Sequence, residues 1–263
     1  MMRVIVTGGA GFIGANTIEA LNQRGVTDIL VVDDLGRGEK WRNLVGLDFA
    51  DVMGIDDFRY AIRHDAVRAV DAVIHLGACS STTESNADYL LDNNTRYSRE
   101  LCEWCIEKGV RFVYASSAAT YGDGSAGYSD DLENLSELRP LNMYGFSKHL
   151  FDLWVWRQGL FDRVAGIKYF NVYGPREAHK GEMRSVVHKA WGQIRERGVL
   201  RLFRSHRSDY ADGEQRRDFV WVRDAVEVTL FLMEHGDLGG MFNCGTGRAR
   251  TWNDLARAVF AAM

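Results

Sequence analysis

Proline is close to absent from this chain, with two in 263 residues, Pro140 and Pro175. Both fall in loops ahead of functional-looking segments, and no Pro-rich tract, other low-complexity tract or internal repeat interrupts the sequence. Cysteine is scarce too: Cys79, Cys102, Cys105 and Cys244 make no disulfide framework at this length. Cys102 and Cys105 form a C-x-x-C inside an expected helix, without a second ligand pair. They read as two small half-buried residues on one helix face. No apolar run reaches the length a bilayer requires, and no basic, apolar leader precedes the first strand, so a cytoplasmic protein with no membrane partner is expected. A formal net charge of −4 argues against a general nucleic-acid binder. Arg195, Arg197, Arg201, Arg204, Arg207, Arg216 and Arg217 alternate with Glu196, Asp209, Asp212, Glu214 and Asp218. That alternation describes a solvated face, from which one or two arginines can clamp a pyrophosphate with their bidentate fork.

Hydrophobic content of 46% and charged content of 26% belong to an ordinary globular protein, long enough for one large α/β unit or two modest domains. Apolar, partly β-branched runs at Val4–Thr7, Ile29–Asp33, Ala72–Leu76, Arg111–Ser116 and Val164–Phe170 alternate with helical stretches such as Asn94–Lys108 and Asn142–Gln158. This rhythm predicts a Rossmann-type α/β fold, a doubly wound parallel sheet. Beyond Gly174 the segments shorten and grow richer in arginine. We expect a dinucleotide-binding domain over residues 1–174 and a smaller substrate lobe over 175–263, interleaved with the end of the sheet, with short strands at Phe219–Trp221 and Met241–Asn243. Thr251 and Asp254 have the spacing of a capping box. The chain then stops at Met263 without a helix stop signal, which reads as an incomplete C-terminus.

The first strand runs directly into Gly8, Gly9, Ala10, Gly11, Phe12, Ile13 and Gly14. Glycines here serve a tight turn, close backbone approach to a pyrophosphate and helix–strand packing. The following helix N-terminus offers N–H groups to the phosphates. The second strand ends in Asp33, about twenty residues on, where a carboxylate accepts from adenosine ribose hydroxyls. Tyr144 and Lys148 then stand four apart on an expected helix and share a face. A nearby ammonium favours the phenolate, and the expectation is a tyrosine with a lowered pKa that exchanges a proton with an alcohol. Ser116 and Ser117 end a strand on the side where such sheets bind ligands, and a hydroxyl there can order the reacting oxygen against Tyr144.

Gly14, Ser117, Tyr144 and Lys148, in this order, resemble the extended short-chain dehydrogenase/reductase family. Five blocks, Val6–Gly14, Gly77–Glu84, Tyr114–Gly122, Tyr169–Glu177 and Arg217–Val220, look within it like the ADP-glyceromanno-heptose 6-epimerases, and His179–Gly181 extends the fourth. The resemblance implies an isomerase that inverts a heptose carbon by transient oxidation and re-reduction on bound nicotinamide. An ADP-sugar would be the substrate, lipopolysaccharide core the destination and a homo-oligomer the assembly. Ser117 would polarise, Tyr144 would exchange the proton, Lys148 would tune it, and Lys180 would be a second proton-exchanging group. Gly8, Gly11, Phe12, Ile13, Gly14, Asp33, Asp34, Lys40, Leu76, Gly77, Ala78, Cys79, Ser80, Asn93, Lys148, Val172 and Lys180 would contact cofactor. Ser117, Asn171, Glu182, Lys189, Phe203, Arg204, Ser205, His206 and Arg217 would hold substrate.

Departures from the family pattern are Lys189 in place of a histidine, Ile55 in place of a cofactor-side lysine, and a longer segment over 207–215. Asp33 suits NAD while Arg37 and Lys40 suit a 2′-phosphate; the family precedent favours NADP, with NAD open. A sugar-nucleotide 4,6-dehydratase is disfavoured because Ala118 and Ala119 stand where that reaction needs an Asp-Glu pair. A UDP-sugar 4-epimerase and a non-catalytic nucleotide-binding fragment stay open, the first disfavoured by Lys180 and the second by intact Ser117, Tyr144 and Lys148.

Overall fold

The computed structural model describes residues 2–206 and 208–263, so Arg207 of the arginine-rich segment lies outside the described residues. In chain order the elements are β1 (Arg3–Thr7), α1 (Phe12–Gln23), β2 (Asp28–Val32), β3 (Asp51–Met53), α2 (Ile55–Arg63), β4 (Ala72–His75), α3 (Ala87–Leu90), α4 (Tyr97–Lys108), β5 (Arg111–Ser117) and α5 (Met143–Arg157). They continue with β6 (Val164–Tyr169), β7 (Asn171–Tyr173), α6 (Val186–Arg197), β8 (Arg216–Arg217), β9 (Phe219–Trp221), α7 (Val222–Glu234), β10 (Gly240–Cys244), β11 (Arg250–Thr251) and α8 (Trp252–Ala262).

Seven strands form one parallel sheet in the order β10-β6-β5-β4-β1-β2-β3. Both faces are covered, which is why the strands are apolar throughout rather than alternating. In β1, Val4 and Val6 pack beneath α1 and α7 with Ile18, Leu21, Val226 and Leu230. Ile5 points the other way, into the core of α2, α4 and α5 with Phe58, Leu101, Phe151 and Val155. The sheet is therefore doubly wound, and the chain leaves β1 toward β2 on one side and returns through β4 on the other. At this reversal the loops after β1 and β4 part, and a crevice opens at the strands' carboxyl ends.

Cys102 and Cys105 belong to that second core. They are fully buried rather than half-buried, and burial pushes the Cys102 thiol up to about 12. The segment after residue 174 divides. Its α7 and β10 complete the large sheet, while α6 and α8 meet around a separate small core of Ala190, Trp252 and Leu255, against Val186, Val187 and Phe219. The two-residue pairing of β8 with β11 and the parallel pairing of β7 with β9 hold this lobe over the crevice side of the sheet. The Thr251 capping box is present: Thr251 Oγ1 accepts from Asp254 N at 2.9 Å, and Asp254 accepts from Thr251 N at 3.1 Å. Among the described residues no helix is long and apolar enough to cross a membrane.

Candidate active site

A cleft of about 920 Å³ lies along the carboxyl ends of β1, β2, β4 and β5 and under the small lobe. At its floor the β1–α1 turn packs too closely to admit side chains. A Cβ on Gly14 would come within 2.2 Å of the Gly8 carbonyl oxygen, and one on Gly8, at φ +67°, within 2.7 Å of Gly77 N. Gly11 caps α1 with backbone alone, so the first-turn N–H groups are left for a ligand rather than for a side chain. A bare backbone turn feeding an open helix N-terminus fits a dinucleotide pyrophosphate.

Asp33, 5% exposed, has a structural task that the sequence did not disclose: its Oδ2 accepts from Ala10 N at 3.0 Å and pins the glycine turn, while its Oδ1 pairs with Lys40. Asp34 accepts from Ile55 N at 3.0 Å and so holds the start of α2. On the opposite side of β1, Leu76 to Ser80 form a wall fixed by Asn94. That side chain accepts from Cys79 N at 2.8 Å, donates to Cys79 O at 3.0 Å, and reaches Ser147 of α5 at 3.0 Å. Asn94 sits in a widened, π-helical turn over Leu91–Arg96 just before α4, next to Asn93, which lines the cleft.

Ser117, Tyr144 and Lys148 meet at the end of β5. Asn142 caps α5 by accepting from Gly145 N at 2.8 Å, which sets the first turn carrying Tyr144. Ser117 stands beside the Tyr144 phenol and favours its ionised form, while its own Oγ accepts from Ala119 N at 3.1 Å. Lys148 is 1% exposed, and burial lowers its pKa to about 8 against the opposing pull of Asp152. The expected depression of Tyr144 is corrected here. Burial raises the phenol above its ordinary value, Ser117 works against the rise, and Asp152 adds to it. Loss of water outweighs help from a lysine whose own charged form is penalised by the same burial.

Lys180 comes from the turn over Ala178–Met183 and lines the same cleft, its ammonium 5.6 Å from the centre of the Phe12 ring. Burial lowers its pKa, with Glu177 opposing. Glu177 is itself buried and accepts from Gly174 N at 3.2 Å and Ser185 Oγ at 2.7 Å, closing the loop that presents Lys180.

Gly8, Gly11, Phe12, Ile13, Gly14, Asp33, Asp34, Lys40, Leu76 to Ser80, Asn93, Ser117, Tyr144, Lys148, Asn171, Val172 and Lys180 all line this one cleft. The rest of the expected substrate set does not. Glu182 and Lys189 bond each other at 3.2 Å outside it. Phe203 and Arg217 lie against Trp252, with centroid distances of 5.5 and 5.9 Å, and it is Trp252 that faces the cleft. Arg204, Ser205 and His206 lie on the neighbouring loop, where Ser205 N donates to Asp212 at 2.7 Å and Arg204 O accepts from Gln215 at 3.3 Å. Sequence reasoning missed Arg59, Tyr89, His179, Phe219 and Trp252 as lining residues. The capping box at Thr251 was the available signal for Trp252, since it starts a helix at that residue.

The sequence profile of the NAD-dependent epimerase/dehydratase family matches residues 4–245. The chain belongs to this family. Within it, the chain is 58% identical to the ADP-L-glycero-D-manno-heptose-6-epimerase of Nitratidesulfovibrio vulgaris, across 98% of the chain and 80% of that relative. Among solved structures it superimposes on the ADP-L-glycero-D-manno-heptose-6-epimerase of Helicobacter pylori with a TM-score of 0.86 at 28% identity, covering 99% of this chain and 81% of that one. The UDP-glucose 4-epimerase of Thermotoga maritima, solved with UDP-glucose, gives a TM-score of 0.80 at 30% identity, covering 99% and 82%. Family membership brings a nicotinamide cofactor to the glycine cradle.

Proposed function

We propose that this epimerase/dehydratase family member is an ADP-glyceromanno-heptose 6-epimerase, supplying ADP-heptose for lipopolysaccharide core. The observation that carries the reading is the presence of Ser117, Tyr144, Lys148 and Lys180 in one cleft with the glycine turn. The similarity to the Nitratidesulfovibrio relative narrows it to a heptose substrate. When bound, a nicotinamide supplies reversible hydride acceptance, which lets a carbinol centre invert with no net redox change.

The chain's own residues handle the oxygen. Ser117, in the same cleft as the Tyr144 phenol, orders the reacting hydroxyl against it. Tyr144 exchanges the proton for one orientation of that oxygen, with Lys148 supplying positive charge beside it. Lys180 exchanges it for the other orientation; its pKa, lowered by burial, brings a lysine nearer to the range in which it gives and takes protons at neutral pH. The carboxylates a dehydratase needs are missing where Ala118 and Ala119 follow Ser117.

The cofactor is proposed as NADP. Both Asp33 oxygens are already engaged, by Ala10 N and Lys40, which leaves Lys40 as the group a 2′-phosphate meets. NAD is the alternative, with ribose hydroxyls displacing Lys40 from Asp33. A cytoplasmic homo-oligomer completes the proposal. Incubating the purified protein with ADP-glycero-manno-heptose should interconvert its C6 epimers and leave UDP-glucose untouched. The reverse outcome overturns the heptose reading in favour of a UDP-sugar 4-epimerase, and inertness toward both favours a nucleotide-binding protein. Mass spectrometry of released nucleotide separates NADP from NAD.

A further inference from the structure

Tyr144, Lys148 and Asp152 follow one another at four-residue intervals along α5 and share one face of it. None of the roles above uses Asp152, which is fully buried. Its Oδ1 accepts from the Tyr114 hydroxyl at 3.0 Å, and its Oδ2 from Ser116 Oγ at 2.6 Å and Lys168 Nζ at 3.2 Å. Lys168, 1% exposed on β6, also donates to Thr120 Oγ1 at 2.6 Å. Thr120 in turn donates to the carbonyl oxygen of Ser117 at 2.8 Å. A single buried ion pair thus ties together the serine-bearing end of β5, the turn after it, and the helix that carries Tyr144.

Stability alone gives little reason for such a pair, because replacing a buried ion pair with apolar residues of similar size is often neutral or stabilising. Its place on the Tyr144 face of α5 supplies another reason. We propose that Asp152, paired with Lys168, is a positioning residue for proton exchange: it holds α5 in register with Ser116 and Ser117 and sets the charge balance around Tyr144 and Lys148. The inference rests on the reading of Tyr144 as the proton-exchanging group.

The titratable groups around the pair are Tyr144, Lys148 and His149 on α5, Tyr114 on β5 with Cys102 of α4 behind it, Lys168 on β6, and Tyr121 in the turn, whose ring centre is 4.9 Å from Lys168 Nζ. Burial is the larger cause of the shifts at Tyr144 and Lys148. On both groups, however, the Asp152 anion acts upward, favouring the protonated phenol and the ammonium. Removing the anion lets both titrations fall, and leaving Lys168 unpaired drives them the same way. Removing Lys168 alone leaves an uncompensated anion and moves both upward.

The experiment measures turnover against pH for wild type, Asp152→Asn, Lys168→Met and the double variant, with melting temperatures alongside. The whole profile should move to lower pH in Asp152→Asn, by about one pH unit, and to higher pH in Lys168→Met. It should return close to wild type in the double variant, where no net charge is introduced. Profiles that stay in place while turnover or melting temperature falls would show a purely structural pair and overturn the proposal. If Asp152→Asn does not fold, the direction of the Lys168→Met shift decides on its own. A fully active Tyr144→Phe protein would instead overturn the underlying reading of Tyr144, whatever the Asp152 variants do.

Discussion

The Lys180 ammonium stands 5.6 Å from the centre of the Phe12 ring, so the loop after β7 touches the first turn of the glycine-rich helix. Anything seated on that turn lies within reach of both walls of the cleft. Lys180→Met keeps the length of the side chain and removes its proton. It should lower interconversion of the two heptose epimers by about two orders of magnitude or more. Tyr144 should still support a half-reaction with one epimer. Wild-type epimerisation by Lys180→Met would reduce Lys180 to a cleft-lining cation and reopen the 4-epimerase reading.

Tyr144→Phe removes the phenol hydroxyl while leaving the ring's packing in place. Turnover should fall by about two to four orders of magnitude, the ordinary range for loss of acid–base help, with little change in bound nucleotide. Since burial holds the phenol above its ordinary pKa in this cleft, the activity of the wild type should rise with pH on its acidic side. Near-normal single-turnover rates in Tyr144→Phe would remove Tyr144 from the chemistry.

The central sheet and its cofactor cradle were legible because their signals are local and redundant. Strands buried on both faces read as continuous apolar runs, and glycines in the β1–α1 turn have no substitute at contacts as close as 2.2 Å. The parts that escaped are those fixed by long-range pairing. Strand β3 spans three residues and β8 and β11 two each, too short for any periodicity to register. Trp252 enters the cleft only because β11 pairs with β8 thirty-odd residues earlier in the chain. Asp33 read as a ribose acceptor, but its bond to Ala10 N depends on how the turn folds back, which spacing does not reveal. The direction of the Tyr144 shift escaped for a similar reason: the spacing of Tyr144 and Lys148 shows a neighbouring cation, whereas the desolvation of both is a property of the assembled cleft.

Lys40 bonds Asp33 and also reaches the Asp34 carbonyl at 3.3 Å, so its ammonium sits at the end of β2 rather than in solvent. Lys40→Ala should weaken NADP more than NAD, by about 1.5–3 kcal/mol for the lost charge-assisted hydrogen bond. For NAD the change should be small or favourable, since Asp33 is then released toward the ribose hydroxyls. Parallel titrations of the two dinucleotides check this. Equal losses for both would place the 2′ position away from Lys40 and favour NAD as the physiological cofactor.

Lys148 is held with its charge out of water, and its pKa of about 8 in the folded protein lies below the ordinary 10.5. The unfolded chain therefore binds a proton there more readily than the folded one. Between about pH 8 and 10.5 this makes folding stability rise with pH through Lys148, and below pH 8 the folded state carries the whole penalty. The difference between those two values corresponds to about 3 kcal/mol as an upper figure. Lys148→Met, which fills the same space without charge, should stabilise the nucleotide-free protein at pH 7 by up to that amount while abolishing turnover. Its advantage over wild type should shrink as the pH climbs from about 8 toward 10.5, because the wild-type lysine sheds its proton there. Denaturant unfolding of both proteins across this range provides the measurement, and other titrating groups cancel in the comparison. A stability difference that does not change with pH would mean that Lys148 packs as an ordinary core residue, with no electrostatic penalty retained for function.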